Sequence, residues 1–217
     1  MKVLQLKCPH RAKNFSYLLY SDNNKECAVV DPSFCDELLI TKITEKKLQP
    51  RYIINTHPHH DHTFGNEAIL NLFTKAQIVS FKPNDQFKDQ TITVKDKDTL
   101  YIAEHPIQIL HTPGHTQEDI CLFFDGKLIT GDVLFVGKVG GTVDKENAFI
   151  QFESLNRLMK LPGNTIVYPG HDYGDKPTTT IENEKENNPF CSRLTSFNDF
   201  YWLKENWKEF KTKHGLS

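Results

Sequence analysis

Apolar residues fall in short runs that change period along the chain, and the changes divide it into strands and helices. Residues 15–20 and 27–30 are apolar runs flanking Ser21-Asp22-Asn23-Asn24-Lys25-Glu26, a pattern that predicts an antiparallel hairpin. Asp31-Pro32-Ser33 stops the second strand. Leu38, Leu39, Ile43 and Leu48 then recur at near-helical spacing in a segment rich in Lys and Glu, predicting a helix that Pro50 ends. Residues 51–55 are β-branched and aromatic and predict a buried strand; 67–73 predict a helix and 77–81 the next strand. This alternation implies an α/β half, with the chemistry on its loops.

The second half repeats strands before it returns to helix. After a polar stretch in which only residues 91–94 look strand-like, residues 100–102, 107–110, 120–124 and 127–130 predict strands joined by short turns, Asp125-Gly126 among them. A second sheet is expected there. Residues 146–159 predict a helix burying Phe149, Phe152, Leu155 and Met159, followed by a strand over 165–168. Phe200, Leu203, Trp207 and Phe210 fall at i, i+3, i+7 and i+10, one face of a terminal amphipathic helix docked on the body. With no internal repeat and no linker-like stretch, the expectation is one domain over residues 1–217 with a helical tail from about 190.

At 217 residues the chain can bury a core large enough for an enzyme. Lys plus Arg number 26 against 28 Asp plus Glu, without a long run of one sign, so no nucleic-acid partner is expected. The five cysteines are scattered singly with no Cys-x-x-Cys pair, which argues against a disulfide framework and for a reducing compartment. No stretch approaches the length of a membrane span and the N-terminus lacks a signal-like apolar run, so a soluble cytoplasmic protein with no membrane partner is expected.

The chemistry is concentrated after residue 55. Thr56-His57-Pro58-His59-His60-Asp61-His62 packs four histidines and an aspartate into seven residues. Imidazole and carboxylate together are the ligands of zinc, iron and similar ions, whereas a single histidine would read as a packing or surface residue. Three further segments each end a predicted strand and put glycine before a candidate ligand: Pro113-Gly114-His115, Thr130-Gly131-Asp132 and Pro169-Gly170-His171. His10, His60, His105, His111 and His214 lie outside the pattern and read as surface or packing residues. Asp31 and Asp172 are candidates to orient a ligating histidine through its second ring nitrogen.

These segments resemble the metallo-β-lactamase superfamily from residue 15 to 173. The resemblance implies an α/β fold, a four-layer αββα sandwich in which two sheets stack between outer helices and hold metal at their common edge. It implies that His57, His59 and His115 hold one divalent ion, that Asp61, His62 and His171 hold a second, and that Asp132 bridges them. Zinc is the first expectation for both ions, with iron or manganese as alternatives. Asp61 and Asp132 are the expected catalytic carboxylates. A metal-bound water can fall in pKa from about 15.7 to about 7, so no serine or cysteine nucleophile is required.

Within that superfamily, residues 131–142 and 169–174 resemble glyoxalase II, the hydroxyacylglutathione hydrolases, and the persulfide dioxygenases. The resemblance implies a small-molecule thioester or thiol conjugate as substrate, with Tyr173 against it; Lys138 is a candidate cation for an anionic substrate. A thiol leaves readily at its pKa of about 8.5, which suits a site without an evident proton donor and favours a thioesterase over a lactamase. The chain departs from glyoxalase II where Val139-Gly140-Gly141 replaces an aromatic pair and where the C-terminal helical domain shrinks to a tail. The alternative is a dioxygenase with one iron on His57, His115 and Asp132. A non-enzymatic metal-binding protein is disfavoured, because structural zinc sites are closed sets of four ligands.

Overall fold

A computed structural model describes residues 1–215. Its layering follows from the period of two along the strands. In β2 (Phe15–Tyr20), Phe15, Tyr17 and Leu19 join one buried cluster while Leu18 joins another. The same division holds in β4 (Gln49–Ile54), where Tyr52 and Ile54 face one way and Ile53 the other. Strands buried on both faces must be covered on both.

The first sheet is ordered β1-β2-β3-β4-β5-β6, with β1 (Lys2–Lys7), β3 (Glu26–Val30), β5 (Gln77–Ser80) and β6 (Thr91–Thr93) completing it. β1 to β3 are antiparallel and β3 to β6 parallel. The second sheet contains β7 (Thr99–Ile102), β8 (His105–His111), β9 (Ile120–Phe124), β10 (Lys127–Gly131), β13 (Ile166–Pro169) and β14 (Thr179–Thr180), ordered β14-β13-β10-β9-β8-β7. A small hairpin, β11 (Leu134–Phe135) and β12 (Lys138–Val139), follows β10.

One apolar cluster lies between the sheets, joining Tyr17, Val30 and Ile54 to Ile109, Leu122 and Ile129. A second lies under α1 (Asp36–Glu45) and α3 (Asn66–Leu72), and a third under α4 (Lys145–Leu158), α5 (Ile181–Asn187) and α6 (Phe197–Glu205). The result is the four-layer αββα sandwich. At the seam Tyr17, wholly buried, donates its hydroxyl to the Pro169 carbonyl, and the Phe15 amide donates to Gly170 at 2.8 Å. No helix of the described residues is long and apolar enough to cross a membrane.

Four local expectations change. Residues 2–7 form a strand that the hairpin reading omitted. Pro50 does not end α1, which stops at Glu45; it lies inside β4, where a register shift opposite Cys27 and Ala28 accommodates a residue that cannot donate to the ladder. Phe149 is 48 % exposed, and Ala148, Gln151, Phe152, Leu155 and Leu158 form the buried side of α4. The terminal helix breaks at Asn206 into α6 and α7 (Trp207–His214), so Phe200 and Leu203 are buried while Trp207 and Phe210 only pack against the cluster.

Candidate metal centre

The C-terminal ends of β4, β8, β10 and β13 deliver the histidine- and aspartate-bearing segments to one edge of the sandwich. His57 and His59 are two apart on chain that is extended at His59, so they project to the same side. The single turn α2 (His60–Thr63) then brings Asp61 and His62 round. His60 faces outward, its ring 6.0 Å from Phe34 and 5.5 Å from Phe64.

Hydrogen bonds on the outer side of the cluster fix the tautomers. His62 donates Nδ1–H to Asp31 Oδ2 at 2.9 Å, His115 to the Gly141 carbonyl at 2.8 Å and His171 to the Ala12 carbonyl at 2.8 Å. Thr56 gives its hydroxyl proton to Asp31 at 2.7 Å, so its oxygen accepts from His57 Nδ1 at 3.1 Å. In their neutral forms all four rings therefore aim Nε2 lone pairs inward.

Inside, these nitrogens face one another. His59 Nδ1 lies 3.1 Å from His57 Nε2 and 3.0 Å from His115 Nε2, and His62 Nε2 lies 3.2 Å from His171 Nε2. Asp61 Oδ2 is 3.5 Å from His171 Nε2. Asp132 Oδ1 is 3.3 Å from His62 Nε2, and Oδ2 is 3.2 Å from His171 and 3.6 Å from His115. The donors sort into His57-His59-His115 and Asp61-His62-His171, with His57-His62-Asp132 overlapping both. Converging lone pairs repel unless a cation lies among them, and Asp132 Oδ1 is buried without a hydrogen-bond partner. The donor set fits divalent metal ions.

Charge is arranged to match. Burial opposes ionisation of Asp132, but His62 and His171 outweigh it and hold this carboxyl well below the usual range. Burial likewise opposes ionisation of Asp61, and the Asn14 hydrogen bond with His62 and His171 brings it below its ordinary value. Burial pushes His57 well down and His59 down, keeping both imidazoles neutral at pH 7. Against its own burial, His62 is held well above its ordinary value by Asp132 and Asp31.

Of the two orienting candidates, Asp31 takes the position. Its φ of 47°, in the left-handed region that aspartate tolerates, turns the carboxylate at the end of β3 back to the Thr56 amide, the Thr56 hydroxyl and His62. Asp172 turns away to pair with Lys7 at 2.5 Å. Asn14 escapes sequence reasoning, yet its Nδ2 holds Asp61 through Oδ2 at 3.0 Å and the carbonyl at 3.1 Å. Lys138 and Tyr173 sit together at the mouth: Lys138 Nζ donates to the Tyr173 carbonyl at 2.7 Å, and the Tyr173 ring stacks on His171 at 4.6 Å.

Residues 12–171 match the family model of the metallo-beta-lactamase superfamily. A probable hydroxyacylglutathione hydrolase glo2 of Schizosaccharomyces pombe is 31 % identical over 191 residues, covering 85 % of this chain and 73 % of its own length. A hydroxyacylglutathione hydrolase of Francisella tularensis subsp. novicida is 35 % identical over 165 residues, covering 74 % of this chain and 64 % of its own. Among solved structures, ETHE1 from Myxococcus xanthus superposes with a TM-score of 0.85 at 28 % identity, covering 95 % of this chain and 91 % of that one.

Proposed function

Because this chain belongs to the metallo-beta-lactamase superfamily, we propose that it is a metal-dependent thioester hydrolase of the glyoxalase II kind, acting on the acyl thioester of a glutathione-like thiol. The observation that carries the reading is that both donor triads are complete and individually braced, the second by Asn14 on Asp61 and Asp31 on His62. A pair of divalent ions held there supplies an acidified water and positive charge where the acyl oxygen turns negative. His57, His59 and His115 are the proposed donors to one ion, Asp61, His62 and His171 to the other, and Asp132 to both.

The remaining work falls to protein groups. Asp61 and Asp132, both ionised at neutral pH, would orient an attacking water as hydrogen-bond acceptors. The leaving thiol departs as thiolate near its pKa of about 8.5 and needs no strong acid beside it. Lys138 and Tyr173 offer a cation and a 37 % exposed aromatic ring to the thiol carrier next to His171. Lys138→Met is expected to raise KM for S-lactoylglutathione about tenfold with kcat within about twofold, one charge-assisted hydrogen bond lost equally from ground and transition states. A thioester of a small uncharged thiol should be hydrolysed alike by both proteins.

The second reading, a persulfide dioxygenase with one iron on His57, His115 and Asp132, has the likeness to ETHE1 in its favour. It is separated by reactants, because hydrolysis consumes water and dioxygenation consumes oxygen. Steady-state thiol release from S-lactoylglutathione, set beside oxygen uptake with glutathione persulfide, tests the two directly.

A further inference from the structure

Lys204, on α6, is half-buried, with its amine tucked against aromatic rings rather than extended into solvent. Its Nζ lies 5.6 Å from the centre of the Phe200 ring and 6.0 Å from that of Phe190, and its two hydrogen-bond partners are both uncharged: the Gly140 carbonyl at 2.9 Å and Gln151 Oε1 at 2.6 Å. Burial pushes the amine down to about 8, so carrying its charge at neutral pH costs stability. A methionine would fill that space without the cost.

The lysine's partners lead to the metal centre. Gln151, wholly buried on α4, donates Nε2 to the same Gly140 carbonyl at 3.1 Å, so two donors from two helices converge on one oxygen. Gly140 runs so close to the Asp132 carbonyl that a Cβ would collide with it, and that Cβ would also stand 3.3 Å from His115 Cβ. The next carbonyl, Gly141, accepts the Nδ1–H of His115. On the other side, Gly114, the residue before His115, packs directly on the Gln151 backbone with no room for a side chain.

Resting on the proposed role of His115 as a metal donor, we propose that Lys204 is a positioning residue: with Gln151 it clamps the Gly140-Gly141 loop and so fixes the ring orientation and tautomer of His115. The C-terminal helices thereby act on the first metal triad without touching it. The second triad is braced from elsewhere, His171 by Ala12 and His62 by Asp31. The effect is therefore specific to His115.

The test compares zinc-loaded wild type with Lys204→Met and Lys204→Arg by thermal melting, chelator competition for each zinc ion, and proton NMR of the imidazole N–H groups. In Lys204→Met the melting temperature is expected to stay the same or rise, affinity for one of the two ions to fall about tenfold, and the His115 Nδ1–H to exchange faster with water while that of His171 is unchanged. Lys204→Arg, which keeps the donors, should recover most of the lost affinity. A lower melting temperature with both affinities and both N–H signals unchanged would make Lys204 a tether of the tail and overturn the proposal. Equal weakening of both ions would overturn its specificity. Failure of the wild type to bind zinc would instead count against the metal reading itself.

Discussion

Asp132→Ala is expected to retain at most one tightly held metal ion where two are expected for the wild type, and to lower kcat/KM for a glutathione thioester by at least about 10²-fold. The floor is the loss seen when even an indirect partner of a metal ligand is removed. Asp132 is the carboxylate that approaches both halves of the centre: its Oδ2 lies 3.6 Å from His115 on one side and 3.2 Å from His171 on the other. Alanine removes the shared anion and leaves three imidazoles facing each other across a gap. Metal analysis and steady-state kinetics on the purified variant check this; unchanged metal content and turnover would remove Asp132 from the centre.

Gly170→Ala should be nearly as damaging, although the residue carries no functional group. A Cβ there would meet Asp132 Oδ1 and come within 2.9 Å of the Gly131 carbonyl carbon and oxygen. The segment cannot retreat, since the Gly170 amide is held by Gly131 and its carbonyl by Phe15, each at 2.8 Å. The methyl must therefore displace Asp132 or open the seam between the sheets. Overpacking of this kind costs about 1–3 kcal/mol, which for a chain of this size lowers the melting temperature by roughly 2–4 °C per kcal/mol. Melting curves and metal content measured together check it: a variant with native stability and two bound ions would mean that the edge is looser than its contacts require.

The parts of the site legible in the sequence are those where chemistry and spacing coincide. Four candidate donors from His57 to His62 are local, and His115, Asp132 and His171 share the signature of strand, glycine and candidate ligand. Asn14 and Lys204 carry none. Asn14 meets Asp61 across 47 residues and Lys204 meets Gly140 across 64, so their roles exist only once the sheets and tail have closed on each other. Asp31 was visible as a polar residue ending a strand, but its left-handed backbone, which aims the carboxylate, was not.

The fold was legible where burial imposes a simple period. Strands β7 to β10 and β13 of the second sheet and the helices α3 and α4 stand within a few residues of their expected positions, whereas the two-residue edge strand β14 was not expected. The errors arise where tertiary context overrides a local rule. Pro50 reads as a helix stop but is absorbed by a bulge in a central strand. The apolar spacing from Phe200 to Phe210 reads as one helix, yet Asn206 divides it, and the two pieces turn different amounts of surface to the core. Phe149 falls on a plausible apolar stripe but packs at 5.1 Å against Phe197 near the surface, leaving Gln151 to face inward, where it serves the Gly140 loop.

The central claim is that two braced triads sharing Asp132 perform hydrolysis. It is tested most directly by metal stoichiometry and thiol release from S-lactoylglutathione measured on the same preparation under argon, where oxygen chemistry cannot run. Two metal ions per chain, with thiol released at an undiminished rate without oxygen and lost on chelation, is the predicted result. One iron per chain, no thiol released under argon, and oxygen consumed with glutathione persulfide when air is admitted would contradict it.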